Sequence, residues 1–238
     1  MSFTNVLEIS DEQILDACRV MKLVGEKAKE ASTNQLLEED NIISVEIDYT
    51  STGQRKNTPV KIVLKKSLFN PVDGDTALLI VSDKSEKVKD ELKESPVEGV
   101  TKVVTLDKVR KTFARYEQRR DLVKSFSRIL ADEAIVLELD PSARLMFTES
   151  DEQELTNALK LGDDAEKRKG SIAAALSSTL LQVNWSCVTS VKVGKLSFTE
   201  KELHENIRCV LPVVFKYIDA DRIAKMCLMV GAVPLRDV

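Results

Sequence analysis

Histidine and cysteine, the residues of most nucleophilic and zinc sites, are scarce in this sequence. The 238 residues include one histidine, His204, in a charged run where an exposed helical position is expected rather than a ligand or a base. A single histidine makes Ser-His-Asp and Cys-His sites hard to assemble. The cysteines show no Cys-x-x-Cys spacing, which disfavours a zinc site, and a non-secreted chain disfavours a disulfide framework. We therefore interpret all four as small buried apolar residues: Cys18, Cys187, Cys209 and Cys227.

Nucleotide-binding motifs are missing as well. The sequence contains neither G-x-G-x-x-G nor G-x-x-x-x-G-K-[ST], the glycine-rich loops whose backbone amides hold phosphates. No nucleophile–base pair and no metal cluster is visible. We therefore expect no metal, no cofactor and no enzymatic activity, and an enzyme built on the central αβ segment remains the least favoured alternative.

Membrane and secretory features are also missing. No apolar run approaches the ~18 residues that a membrane span needs. Residues 1–10 carry Glu8 and no basic cluster, unlike a secretory signal. The expectation is a soluble intracellular protein without a membrane partner.

Positive charge is concentrated in two segments of an acidic chain. The net charge is −4, yet residues 49–72 contain five basic and no acidic residues, and residues 108–128 contain eight basic and two acidic residues. Such concentrations are compatible with a polyanion that is met locally. The alternative, equally weighted on charge alone, is that both segments are solvated faces.

A helix and two strands are predicted around the first basic segment. The Ser10–Gln13 capping box and the helical spacing of the apolar residues after it predict a helix over 11–29. Segments 41–49 and 60–64 are rich in β-branched residues and predict strands. The polar, glycine-containing loop between them suggests a β-hairpin, with one basic pair at each end: Arg55 and Lys56, and Lys65 and Lys66.

The middle of the chain alternates apolar strands with helices. Strands are predicted at 76–81, 100–105 and 128–131, which indicates a parallel sheet covered by helices. A helix in the second basic segment should bury Val109, Phe113 and Tyr116 and expose a possible second basic face. That face consists of Lys108, Lys111, Arg115 and Arg119.

The last third predicts a return to the first domain. Residues 152–182 are interpreted as a helix, possibly broken near Gly162 and Gly170, and segments 186–193 and 223–230 as strands. A capping box at Thr199–Glu202 starts another helix. We therefore predict an α/β fold of two domains: a discontinuous domain of residues 1–70 and 166–238, and a Rossmann-like domain of residues 71–165 inserted into it.

Segment 190–207 carries a family resemblance. Its sequence, SVKVGKLSFTEKELHENI, resembles the V-G-K-V-S-F … L-x-E-N-I signature of the ribosomal protein L-one family of the large subunit. Segments 59–64 and 116–133 resemble two further family segments. Segment 175–181 resembles a helix of the eukaryotic ribosomal L-one domain-containing proteins of ribosome assembly. The resemblance covers most of the chain in patches, and the family has the same domain insertion.

The resemblance implies a non-catalytic protein that binds large-subunit rRNA or pre-ribosomal particles, alongside ribosomal or assembly proteins. It implies a nucleolar or nuclear location, with the cytoplasmic ribosome as the alternative, and a monomer outside the particle. A protein-interaction module that keeps the fold but has lost RNA binding is the second hypothesis. The RNA-binding residues expected from the resemblance are Arg55, Lys56, Lys65, Lys66, Lys192, Lys195 and Gly231.

Overall fold

The structure is a computed structural model. It describes residues 9–31, 42–50, 60–82, 88, 90–92, 96–113, 115–132, 135, 158–161, 164–183 and 187–230. In chain order its elements are α1 (Asp11–Ala31), β1 (Ile42–Tyr49), β2 (Val60–Val63), β3 (Ala77–Val81), β4 (Val100–Thr105), α2 (Leu106–Thr112), α3 (Tyr116–Lys124), β5 (Arg128–Asp132), β6 (Ala158–Leu159), α4 (Ala165–Leu176), β7 (Ser178–Leu181), β8 (Val188–Lys195), α5 (Glu200–Tyr217) and β9 (Ile223–Val230).

The chain divides into two compact units. One unit combines residues 1–68 with 177–238, and the other comprises residues 69–176. We call them the split unit and the inserted unit. That residues 71–165 fold independently stays a prediction.

The split unit is built on a three-stranded antiparallel sheet in the order β8-β1-β9. Alternate residues of β1 are buried, because successive side chains of a strand point to opposite faces. The buried face packs against apolar side chains of α1 and α5, among them Cys18, Ile207 and Val210. As expected, both helices begin with capping boxes, at Ser10–Gln13 and at Thr199–Glu202.

The predicted β1–β2 hairpin is wrong. Strand β1 lies in the middle of its sheet, so β8 and β9 occupy both of its hydrogen-bonding edges. Strand β2 instead pairs antiparallel with β7, with Val60 opposite Leu181 and Val63 opposite Ser178. The two strands flank the inserted unit in the sequence. The expectation that Lys65 and Lys66 lie at the far end of a β1–β2 hairpin is therefore wrong.

The predicted helix over 152–182 is also wrong in its extent. Helix α4 covers only Ala165–Leu176, and β6 and β7 lie on either side of it. Ile172 and Leu176 are buried in α4, whereas Leu181 is buried as part of a strand. Segment 178–181 is a strand because its backbone pairs with β2, a distant partner that helical periodicity cannot reveal.

The inserted unit contains a four-stranded parallel sheet in the order β4-β3-β5-β6. All five residues of β3 are buried, as expected for a central parallel strand covered on both faces. Leu78 and Ile80 face one apolar cluster, which includes Leu106 and Leu122; Leu79 faces a second cluster, which includes residues of α4. The prediction of an α/β fold with a helix-covered parallel sheet is confirmed.

The second basic segment does not form one continuous helix. Helix α2 ends at Thr112, and α3 begins at Tyr116. Val109 is buried, as predicted, and Phe113 is partly buried beside the same cluster. The side chain of Tyr116 lies outside the described residues. Because the chain leaves the helical path at Phe113, the periodicity that we used to place four cations on one face does not continue across the segment.

Candidate nucleic-acid interface

Lys65 and Lys66 follow β2 after one residue, Leu64, and both side chains are exposed. Lys65 Nζ lies 3.8 Å from Glu205 Oε2. Lys66 Nζ lies 3.3 Å from Glu202 Oε1 and 5.9 Å from the centre of the Phe198 ring. Exposed ion pairs of this kind contribute little to stability. Because these ion pairs are weak, a phosphate could replace the carboxylates of Glu205 and Glu202 at little cost in free energy.

A buried amide fixes the backbone of this segment. Asn206 of α5 has an exposed fraction of 0 %. Its Oδ1 accepts a hydrogen bond from Lys66 N–H at 3.0 Å, while Nδ2 donates to Lys66 O at 2.9 Å and to Val193 O at 2.8 Å. Buried polar groups require such partners, because an unsatisfied one costs about 1–3 kcal/mol. Asn206 thus connects the segment after β2 to β8.

The capping box of α5 contributes to the same surface. Glu202 accepts hydrogen bonds from the backbone N–H and the hydroxyl of Thr199, and it pairs with Lys66. The Thr199 backbone and side chain, followed by Lys66, hold the pKa of Glu202 below its usual value. The carboxylate beside Lys66 therefore remains charged at neutral pH.

A β-bulge places Lys192 and Lys195 on the same face of the sheet. Residues three apart on a regular strand point to opposite faces. In β8 the register shifts, so that Lys192 lies opposite Ser44 and Lys195 lies opposite Ile42, two residues of one β1 face. Val193 and Gly194, between the lysines, are buried. The bulge thereby directs both cations away from the core.

This outer face carries charges of both signs. Glu46 and Asp48 of β1 lie on it, Glu46 opposite Ser190 and Asp48 opposite Lys225. Lys192 is partly buried and has no ion-pair partner among the residues that the structure describes. The other three expected RNA contacts, Arg55, Lys56 and Gly231, lie outside the described residues.

Three of the four cations expected on the second basic face, Lys108, Lys111 and Arg115, are exposed, and Lys111 Nζ pairs with Asp107 at 2.5 Å. The side chain of the fourth, Arg119, lies outside the described residues. Two further exposed cations, Arg120 and Lys124, belong to α3.

Arg128, which belongs to the same basic run, has a structural role. Its Nη1 donates to Ala175 O at 3.0 Å and to Leu176 O at 2.6 Å, and burial lowers its pKa.

The histidine and the cysteines show no arrangement for acid–base or metal chemistry among the described residues. His204 lies on α5 as predicted, but it is partly buried, with Nε2 2.8 Å from Asp11 Oδ1. Cys18 is buried, which raises its pKa to about 11. The expectation that the other three cysteines are buried is wrong, because Cys187 is exposed and Cys209 and Cys227 are partly buried. Among the described residues, no group of His, Cys, Asp and Glu side chains could hold a metal ion.

Comparison with known proteins identifies relatives. A model of the ribosomal protein L1p/L10e family matches residues 25–227. A protein of Schizosaccharomyces pombe, named as a ribosome biogenesis protein, is 30% identical over 172 residues, which cover 71% of this chain and 45% of the relative. The chain thus spans less than half the length of that relative.

No helix in the described part of the chain is long and apolar enough to cross a membrane.

Proposed function

The chain belongs to the ribosomal protein L1p/L10e family, and from this premise we propose that it binds folded large-subunit rRNA without catalysing a reaction. The RNA would be part of a precursor particle or of the mature subunit. The name of the fission-yeast relative supports the precursor, and with it a nucleolar or nuclear location. Ribosomal or assembly proteins of the same particle would be its protein partners.

We assign the RNA contact to the lysine surface, defined as Lys65, Lys66, Lys192 and Lys195. The observation that carries this assignment is that one side chain and one β-bulge position these residues. Asn206 bonds the backbone of Lys66 to that of Val193, and the β8 bulge turns the lysines on either side of Val193 to one face. Two lysines on β8 and two in the segment after β2 suit a folded RNA, whose phosphates supply most of the affinity. Arg55, Lys56 and Gly231 remain part of the proposal through the family resemblance.

The salt dependence of rRNA binding tests this assignment. Each phosphate that a lysine neutralises releases condensed counterions, so about four contacts contribute roughly −3 to the slope of log K against log salt. Changing Lys65, Lys66, Lys192 and Lys195 to Gln together should therefore make the slope shallower by roughly 3 for a large-subunit rRNA transcript. A matched control changes four cations elsewhere to Gln: Lys27, Lys167, Lys169 and Lys216.

The control should keep the affinity and slope of the unaltered chain. Both variants should melt within a few degrees of it, because exposed charges contribute little to stability. An unchanged slope in the lysine-surface variant would contradict the assignment. If the unaltered chain does not bind rRNA but still associates with pre-ribosomal particles, the protein-interaction hypothesis replaces the proposal.

A further inference from the structure

The inserted unit has two helical layers, one on each face of its sheet. Leu106 and Val109 of α2 and Leu122 of α3 pack into the same apolar cluster as Leu78 and Ile80 of β3. Helix α4 packs against the opposite sheet face, through Ile172 and Leu176 among others. Helices α2 and α3 therefore form one layer, and their remaining sides are directed outward.

The two layers differ in charge. Segment 106–124, which contains α2 and α3, has seven basic and three acidic residues, a net charge of +4 in a chain whose net charge is −4. In α4, two of the three cations pair with acids: Arg168 Nη2 lies 2.5 Å from Glu91 Oε2, and Lys167 Nζ lies 2.9 Å from Asp164 Oδ2. Positive charge is thus concentrated on one side of the unit.

Four cations of the α2–α3 layer have no ion-pair partner among the described residues, and all four side chains are exposed. They are Lys108, Arg115, Arg120 and Lys124. Lys65 and Lys66 of the lysine surface, by contrast, each have a carboxylate partner. A polyanion would therefore displace no carboxylate from these four groups. We call them the α2–α3 cations.

Among the side chains of this layer that the structure describes, none is an exposed apolar anchor of the kind that a protein-docking surface needs. The large apolar side chains that are exposed in the described structure are Val20, Leu23, Val63, Val72 and Val188, and none belongs to segment 106–124. Protein interfaces normally depend on buried aromatic or aliphatic anchors at their centre. Phosphate recognition needs only cations, and the guanidinium groups of Arg115 and Arg120 have the planar geometry that matches phosphate oxygens.

We propose that the α2–α3 cations form a second RNA-binding surface, on the inserted unit, that contacts the phosphate backbone of folded RNA. This inference rests on the proposed function for the class of ligand, but it adds a separate site on the other unit. The helices, ~10 Å and ~13 Å long at 1.5 Å per residue, are long enough for cations to reach successive phosphates of one strand. Contacts to phosphates alone would make this surface indifferent to base sequence.

A set of full-length variants tests the second surface. The four α2–α3 cations are changed to Gln, which preserves helix propensity, and the Lys27, Lys167, Lys169 and Lys216 variant serves as the charge-matched control. Binding to a large-subunit rRNA transcript is measured at several salt concentrations, with a melting curve for each variant. The α2–α3 variant should bind more weakly and show a slope shallower by roughly 3 than the control.

The other outcomes are distinct. If the α2–α3 variant keeps the control's affinity and slope while the lysine-surface variant loses them, the second surface is overturned and the proposed function stands. If only the α2–α3 variant loses binding, the second surface stands and the assignment to the lysine surface fails. If the α2–α3 variant binds rRNA like the control but no longer binds polyglutamate, the occupant is an acidic protein segment, which also overturns the inference.

Discussion

Asn206 anchors the segment that follows β2. One side chain satisfies the N–H and the carbonyl of Lys66 together with the carbonyl of Val193. Lys66 is a candidate from its charge and from the family resemblance. The role of Asn206 was not predicted, although a polar residue on the apolar helix face between Leu203 and Ile207 is a signal of a buried hydrogen-bonding role. Its three partners could not be predicted, because they belong to segments distant in sequence.

Changing Asn206 to Ala should lower the free energy of unfolding by about 2–4 kcal/mol, because it leaves two backbone groups of Lys66 and one of Val193 without their partner. Urea denaturation measures the effect. Glu205→Gln, at the neighbouring exposed position, is the control and should change stability by less than about 0.5 kcal/mol. Equal stability of the two variants would show that Asn206 does not hold the segment.

Asp11 links the first turn of α1 to α5. Its Oδ1 accepts hydrogen bonds from His204 Nε2 at 2.8 Å and from Arg208 Nε at 2.6 Å, and these two side chains hold its pKa below the usual value. A carboxyl group whose pKa is lowered by folding stabilises the protein above its unfolded pKa of about 3.9. That contribution disappears as the pH falls through the lower, folded pKa.

Asp11→Asn should therefore reduce stability at neutral pH and flatten its decrease in acid. Urea denaturation at a series of pH values from neutral to acid would show this. Asp16→Asn, which removes a carboxylate paired with Arg19 of the same helix, is the control and should keep the decrease. Parallel pH curves for the Asp11 variant and the unaltered chain would contradict the link.

At the scale of elements, the sequence predicted what local interactions determine. The capping boxes of α1 and α5 are formed by residues three apart, and the starts of both helices were predicted correctly. Strand pairing depends on distant partners. Strand β2 pairs with β7 although residues 64–177 lie between them, so the predicted hairpin was wrong. The bulge that groups Lys192 with Lys195 depends on β1 and was equally invisible in the sequence.

Changing each of two glycines to alanine should alter stability in opposite directions. A Cβ at Gly194, beside the bulge, would lie 2.2 Å from Leu203 Cδ2 and 3.2 Å from Phe198 Cδ2, both buried side chains. Gly194→Ala should therefore destabilise the split unit by about 1–3 kcal/mol through overpacking. A Cβ at Gly170, inside α4, meets nothing within 4 Å.

Gly170→Ala should accordingly stabilise the protein by about 0.5–1 kcal/mol, because alanine favours a helix interior over glycine. Thermal or urea denaturation of both variants measures the two effects. A neutral Gly194→Ala would mean that β8 and α5 pack less closely than the structure shows.

At the scale of the whole molecule, charge distribution and family membership support the same class of partner. The chain is acidic overall, yet segments 49–72 and 106–124 are strongly basic. The family resemblance of segment 190–207 is confirmed, because the family model matches residues 25–227. The same segment contains Lys192 and Lys195, whose contact with RNA stays a prediction. The arrangement of the second basic face depends in addition on the break between α2 and α3 at Phe113, which helical spacing did not reveal.

Sedimentation of the tagged full-length chain through a sucrose gradient of cell lysate most directly tests whether it binds large-subunit rRNA in particles. The chain should sediment with large subunits or their precursors. As the salt concentration is raised, the lysine-surface variant should move to the top of the gradient at a lower concentration than the charge-matched control, because it retains fewer phosphate contacts. An unaltered chain that stays at the top of the gradient at low salt would contradict the proposed function.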